Sequence, residues 1–301
     1  MISIDLIGGA RPNFVKLASV IKAIKEKQND GTLIDYRFIH TGQHYSKSLS
    51  EDFFVQLNIP EPDINLNVGS GSHAEQTAKI MMGYEQILNH NKPDVCLVVG
   101  DVNSTVACAI VARKAEVPVV HVEGGIRSFD WSMPQEINRV LTDSITNWFF
   151  TTSTTASQNL INSGVDEKRI YFVGNTMVDT LLTHEPYLIK PALWNDLDLC
   201  EKNYLLLTMH RPSNVDAQEQ LCELLSVINA NSRNKKIIFP VHPRTEKVLG
   251  SLKNDYSNIF PVSALSYLEF NYLVKHAFGV LTDSGGITEE TTMFHVPCLT
   301  L

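Results

Sequence analysis

Short apolar runs alternate with amphipathic stretches along almost the whole chain. The runs that predict strands are 2–7, 34–40, 95–99, 117–122, 148–151 and 170–173, and a second series follows at 204–208, 237–240, 259–262, 279–282 and 298–301. Helical spacing of apolar positions fills intervals between them, at 14–27, 74–88, 105–115, 219–231 and 267–276. Near-continuous apolar strands separated by helices predict parallel sheets covered on both faces, because a crossover between parallel strands needs the length of a helix. The series restarts near residue 174, and the stretch 184–203, with two prolines and little periodicity, reads as a surface connection. The predicted fold is therefore α/β, with two Rossmann-like, doubly wound parallel-sheet domains (1–173 and 174–301) facing across a cleft. The final residues, VPCLTL, read as a buried strand. Chains seldom stop inside one, so a fragment with a truncated second domain is expected.

In an open parallel sheet, ligands gather beyond the carboxyl ends of the strands. Seven predicted strand ends carry Arg, His, Asp, Glu or Gly-rich turns: LIGGARPNFVK, FIHTGQHYS, LVVGDVNST, VVHVEGGIR, LLLTMHRPSN, IFPVHPRT and VLTDSGGITEE. One such loop means little; their number across both halves points to a shared ligand.

Asp283-Ser284-Gly285-Gly286 follows a strand and opens a helix. Free amides there, helped by the helix dipole, suit a diphosphate, although small residues also make such turns for packing alone. Glu290, one helical turn beyond Gly286, suits the hydroxyl donors of a ribose. Arg11 and Lys16 flank the start of the first helix and can bind phosphate, with a plain surface lysine as the alternative for Lys16. His210-Arg211 and His242-Pro243-Arg244 end second-domain strands and favour an anionic substrate. His44 and His121 have weaker claims, and His121, inside VVHVE, reads equally well as a buried core side chain. Asp101 and Glu123 end neighbouring strand units. Gln135, Glu136 and Arg139 follow on a helix begun by Pro134. Carboxylates grouped this way suit proton transfer, while Glu136 and Arg139, at i and i+3, read equally as a structural ion pair.

Composition narrows the picture. Of 301 residues 44% are hydrophobic and 19% charged, as in a soluble globular protein. A net charge of −8 excludes a generally basic nucleic-acid surface, so an anionic ligand must be held by local groups. The N-terminal MISIDLIGG lacks the basic region and cleavage site of a signal peptide, and no apolar stretch approaches the ~20 residues of a membrane helix. No nucleic-acid partner and no membrane insertion are expected. The five cysteines form no CxxC pair, and three lie in apolar surroundings, which predicts buried thiols and a cytoplasmic location. Zinc-ligand spacing, the GxSxG elbow, a Walker loop and the GxGxxG fingerprint are all missing, so neither a metal nor a nicotinamide cofactor is expected.

The set GARPNFVK, TGQHYS, GDVNST, HVEGGIRSFD, PQEINRVLTD, GNTMVD, MHRPSN, HPRT and DSGGITEE, in this order, resembles the non-hydrolysing UDP-N-acetylglucosamine 2-epimerases from Ile7 to Leu301. The resemblance implies a GT-B-like fold, a UDP-sugar substrate held mainly through UDP by the second domain, and a homodimer. Carried over by motif, Arg11, Lys16, Asp101, Glu123, His210, Ser284, Gly285, Gly286 and Glu290 match ligand-binding positions. Phe270 matches the uracil-side aromatic, and Leu265 contributes through its backbone. Asp101, Glu123 and His210 also match catalytic positions. The family usually has Pro-Glu-Glu where this chain has Pro134-Gln135-Glu136. Gln135 cannot exchange a proton, so either Glu136 substitutes or the reaction is altered or slowed. The family also continues past the last strand with an Arg-containing loop and closing helices, which this sequence lacks. The implied reaction interconverts UDP-GlcNAc and UDP-ManNAc through elimination of UDP to 2-acetamidoglucal and re-addition, and needs no redox cofactor. The alternatives are a GT-B glycosyltransferase, a hydrolysing 2-epimerase and an inactive sugar-nucleotide sensor.

Overall fold

In the computed structural model the described residues are 1–42, 53–209, 214, 218–241 and 256–301. They divide into two compact units, Met1–Thr180 and Leu181–Leu301. Each is built on its own parallel sheet, as the Rossmann-like reading expects.

The first unit runs β1 (Ile2–Gly8), α1 (Arg11–Asn29), β2 (Ile34–His40), β3 (Ile64–Asn65), α2 (His73–His90), β4 (Val95–Val99), α3 (Asn103–Lys114), β5 (Val119–Val122), α4 (Pro134–Ile145), β6 (Trp148–Thr151), α5 (Thr154–Asn162) and β7 (Ile170–Phe172), and α6 (Thr176–His184) begins at its end. Its seven strands lie in the order β3-β2-β1-β4-β5-β6-β7. The central strands are apolar on both faces because helices cover both: Leu6, Phe38, Val98 and Val119 have no exposed surface. Local chemistry sets several helix starts. Ser72 and Glu75 exchange bonds in a capping box at α2, Ser153 caps α5, and Pro134 opens α4 with its preset φ.

The second unit runs α7 (Leu193–Asp196), β8 (Tyr204–Thr208), α8 (Gln218–Asn231), β9 (Lys236–Val241), β10 (Ile259–Ser263), α9 (Tyr267–His276), β11 (Gly279–Thr282), α10 (Gly285–Met293) and β12 (Cys298–Thr300). Its strand order, β10-β9-β8-β11-β12, repeats the plan of the first sheet, and every pairing in both sheets is parallel. In both units, then, the chain reverses its direction of travel across the sheet once, between β1 and β4 and between β8 and β11. Loops diverge at such a switch point and leave a crevice above the carboxyl ends.

Three expectations are corrected. The last strand is not buried: Cys298, Leu299 and Thr300 are exposed, because among the described residues β12 lies at the sheet edge and pairs only with β11. With it go the three buried thiols: Cys96 and Cys108 are buried, Cys222 is half-buried, and Cys200 and Cys298 are exposed. The stretch 184–203 is more than a surface connection. It contains α7, whose Trp194 packs edge-on against the buried Tyr204 at 5.7 Å, and Leu199 is buried in the core.

Candidate active site

The β1–α1 turn is fixed by Asn13. Its Oδ1 accepts the amides of Gly9 and Ala10 at 3.2 and 3.0 Å, and its Nδ2 donates to the Val99 carbonyl at 3.0 Å. One side chain thus ties the ends of β1 and β4 together at the switch point. Gly9 has no room for a Cβ, which would meet Ser104 Oγ at 2.1 Å. Arg11, at the first turn of α1, sets its guanidinium 5.4 Å from the Phe53 ring centre. One turn further on, Lys16 meets Glu123, with Nζ 2.5 Å from Oε2 and both side chains nearly buried.

Glu123 follows β5 directly, and its backbone sits at φ +70°, a left-handed conformation costly for a residue with a Cβ. Such strain persists only where surroundings impose it. Its amide is anchored to the Phe150 carbonyl at 2.9 Å. Gly100 precedes Asp101 at φ +68°, and a Cβ there would stand 3.3 Å from Lys16 Nζ and 3.6 Å from Glu123 Oε2. Glycine here spares that ion pair both strain and crowding.

Arg139 of α4 joins two carboxylates, with Nη2 2.5 Å from Asp101 Oδ2 and Nη1 2.9 Å from Glu136 Oε2. Asn138 Nδ2 donates to the Asp101 carbonyl at 2.9 Å. Glu136 is buried, and its oxygens also accept Ser128 N–H at 2.9 Å, Ser128 Oγ–H at 3.0 Å and Phe129 N–H at 3.1 Å. Burial pushes its carboxyl up, but these donors and the guanidinium outweigh it and hold the group below the usual range. The ion pair between Glu136 and Arg139 therefore forms, and Arg139 also holds Asp101. Gln135 is exposed on the first turn of the same helix. Asn13, Asn138 and Ser128 were not singled out in the sequence; each sits inside a motif read for its charged neighbours.

In the second unit, Thr208 Oγ1 and Thr282 Oγ1 hydrogen-bond at 2.7 Å across the ends of β8 and β11. Thr282 Oγ1 also accepts the Ser284 amide at 3.0 Å, and Asn214 Nδ2 donates to Asp283 Oδ2 at 3.0 Å. These bonds shape the turn that leads into α10, whose first amides, at Gly285 and Gly286, have no intrahelical acceptor. Glu290 lies on the same helix, buried. Burial pushes its carboxyl up to about 7, against the lowering effect of hydrogen bonds from Asn271 and Tyr267 of α9. Leu265 and Phe270 pack, partly buried, on the core cluster containing Leu206, Ile238, Leu273 and Val280, as does Ile287 of α10. His210, Arg211, His242, Pro243, Arg244 and His44 lie outside the described residues. Among the described residues, no group of three or more His, Cys, Asp or Glu side chains is placed to hold a metal ion.

A family model described as UDP-N-acetylglucosamine 2-epimerase matches residues 25–301. The chain is 43% identical over 310 residues to the UDP-N-acetylglucosamine 2-epimerase of Methanocaldococcus jannaschii, a match spanning 99% of this chain and 83% of that one. It is 39% identical over 298 residues to the UDP-2,3-diacetamido-2,3-dideoxy-D-glucuronate 2-epimerase of Pseudomonas aeruginosa, across 97% of this chain and 81% of the relative. The crystal structure of the M. jannaschii UDP-GlcNAc 2-epimerase in complex with UDP-GlcNAc and UDP matches with a TM-score of 0.89 at 42% identity, over 100% of this chain and 84% of that one. Motif order, two parallel sheets and these likenesses agree: the chain belongs to the non-hydrolysing UDP-N-acetylglucosamine 2-epimerase family.

Proposed function

We propose that this chain interconverts UDP-GlcNAc and UDP-ManNAc by eliminating UDP to 2-acetamidoglucal and adding it back. The observation that carries the reading is the pair of ion-paired carboxylates, Glu123 with Lys16 and Asp101 with Arg139, on loops of one sheet. The C2 proton of the sugar is not next to a carbonyl, so a carboxylate alone cannot remove it at a useful rate. As the C1–O bond breaks, the anomeric carbon becomes electron-poor. The C2–H electron pair then forms the C1=C2 bond, the proton passes to a carboxylate, and UDP leaves with the C1–O pair. Re-addition with protonation on the other face inverts C2.

Glu123 and Asp101 are the proposed proton-handling groups. Arg11, Lys16 and His210 steady the departing diphosphate, whose other contacts are the amides from Ser284 to Gly286. Glu290 takes the ribose hydroxyls, and Phe270 and the Leu265 backbone take the uracil. Glu136, with its oxygens committed to Ser128, Phe129 and Arg139, holds Arg139 against Asp101.

The P. aeruginosa relative supports a second reading in which the sugar is a diacetamido uronic acid on the same UDP. Incubation in deuterated water followed by NMR tests both. UDP-GlcNAc should take up deuterium at C2 and give UDP-ManNAc; exchange confined to the diacetamido glucuronate would replace the first reading by the second, and free N-acetylmannosamine as product would refute both. No helix among the described residues is long and apolar enough to cross a membrane. We place the enzyme in the cytoplasm as a homodimer, a state that light scattering in solution checks.

A further inference from the structure

His121 lies within β5, two residues before Glu123, and is fully buried. Its Nδ1 is 2.7 Å from Asp143 Oδ1 and its Nε2 is 2.8 Å from the Gly100 carbonyl oxygen. A carbonyl oxygen has no proton to give. Asp143 has none either, because the Arg127 guanidinium, with Nη1 2.6 Å from its other oxygen, keeps it ionised, and that oxygen also accepts the Gly125 amide at 3.1 Å. Both ring nitrogens must therefore donate, which only the imidazolium can do. Burial drags this ring's pKa down, but the bond and charge of Asp143 raise it more, and the net shift is upward. Asp143 moves the opposite way: burial raises it, and His121 and Arg127 bring it below the usual carboxylate range.

The cation links the two loops that carry the proposed proton-handling groups. The Gly100 peptide unit that leads into Asp101 presents its carbonyl to His121, while the Gly100 amide donates to the Val122 carbonyl at 3.0 Å. Gly100 is thus gripped twice by the strand that leads into Glu123. Asp143, through Gly125, grips the turn that follows Glu123. The charged groups around the ring are Asp143 of α4, Arg127 of the loop after β5, Glu123 directly after its own strand and Lys16 of α1, which pairs with Glu123.

We propose that His121 is a positioning residue, held as an imidazolium, that fixes the Asp101 loop against the Glu123 loop, and that loss of its proton releases Gly100 and misaligns the two carboxylates. The inference rests on the epimerase reading. Neutral imidazole retains one N–H, which Asp143 holds, and its bare Nε2 then repels the Gly100 carbonyl. The closeness of Gly100 to Lys16 and Glu123 makes even a small shift there felt at the ion pair. A shift of about 1 Å in a group supporting catalysis costs on the order of 100-fold in rate.

Two measurements test it. In wild-type protein labelled with ¹⁵N-histidine, with His121 assigned by its loss in His121→Asn, both ring nitrogens should carry protons at pH 7.5. In His121→Asn, kcat with UDP-GlcNAc should fall on the order of 10- to 100-fold with KM within about twofold, and the wild-type loss of kcat at alkaline pH should vanish. A neutral, single-tautomer ring at pH 7.5 overturns the inference, and decides alone, with His121 assigned through correlation to its backbone resonances, if the variant does not fold. So does a folded variant with the wild-type kcat and pH profile. Wild-type protein that exchanges no C2 proton in any UDP-sugar instead overturns the epimerase reading, and the positioning role with it.

Discussion

Lys16 Nζ stands 2.5 Å from Glu123 Oε2, with only 12% and 8% of the two side chains exposed. Water screens such a pair weakly, so removal of the cation strands a buried carboxylate. Lys16→Met should destabilise the protein by about 3 kcal/mol, read from urea unfolding at pH 7.5. The double variant Lys16→Met/Glu123→Leu should recover most of that loss, because no unpaired charge remains. Simple additivity of the two single changes would show that the residues do not interact.

The backbone at Glu123 supplies a second test, independent of charge. At φ +70° any residue with a Cβ is strained, whereas glycine is not. Glu123→Gly should therefore be more stable than Glu123→Ala by about 1 kcal/mol, against the usual order for the two residues. Both variants, and Glu123→Gln, should lose deuterium incorporation at C2. Greater stability than Glu123→Ala, without activity, in Glu123→Gly is the expected mark of a residue kept in a costly conformation for its side chain. Undiminished exchange in Glu123→Gln would remove the group from the mechanism.

Strand positions were legible because burial on both faces leaves long apolar runs, and the predicted spans 34–40, 95–99, 148–151, 204–208 and 279–282 match the observed strands residue for residue. β3 left no such trace: Ile64 and Asn65 form only two pairs with β2. Helix α5 was missed because its buried face has just Ala156 and Leu160, although Ser153 marks its start. At the site, Asp101 and Glu123 were legible as charged residues where a strand should have given way to a plain turn, whereas Lys16, inside α1, read equally as a surface lysine. The unit formed by His121, Asp143 and Arg127 was not. His121 hides in an apolar run, its partner lies 22 residues further on in a helix, and neither position breaks any local pattern. Arg139 was legible as the i+3 partner of Glu136; its reach to Asp101 needs the packing of α4 beside the β4 end.

Gln135 and Glu136 can be separated by exchange of their chemistry. Glu136 sits among fixed donors and is held ionised, whereas Gln135 is exposed on the same turn. If Glu136 works through Arg139, Glu136→Gln should weaken the hold on Asp101 and lower both stability and kcat. Gln135→Glu should leave stability within about 0.5 kcal/mol, as for most surface changes. It should also raise kcat by on the order of 10-fold, since it supplies a proton-exchanging group where the resemblance implies a glutamate. Unchanged steady-state rates of C2 exchange in Gln135→Glu would mean that this position has no share in the reaction here.

Glu290 makes the nucleotide-side proposal sensitive to pH. Its carboxyl is pushed up to about 7 in the folded chain by burial, from an ordinary value of 4.5. The folded state therefore binds this proton more tightly than the unfolded state does. The sign follows: stability is greatest below about pH 4.5, falls as pH rises towards 7, and then levels off, with a swing on the order of 3 kcal/mol from this group alone. Glu290→Gln, neutral throughout, should remove that slope and raise Tm at pH 8 relative to wild type, while leaving the two proteins alike near pH 4. Accepting both ribose hydroxyls at once takes the two bare oxygens of a carboxylate, so UDP binding in that mode expels the proton. Wild-type affinity for UDP should then increase from pH 6 to pH 8, with proton release visible as a dependence of calorimetric enthalpy on the buffer's ionisation heat. In Glu290→Gln both effects should disappear and UDP should bind more weakly at pH 8. A variant that binds UDP as tightly as wild type across this range would take Glu290 out of the ribose contact, whatever its effect on Tm.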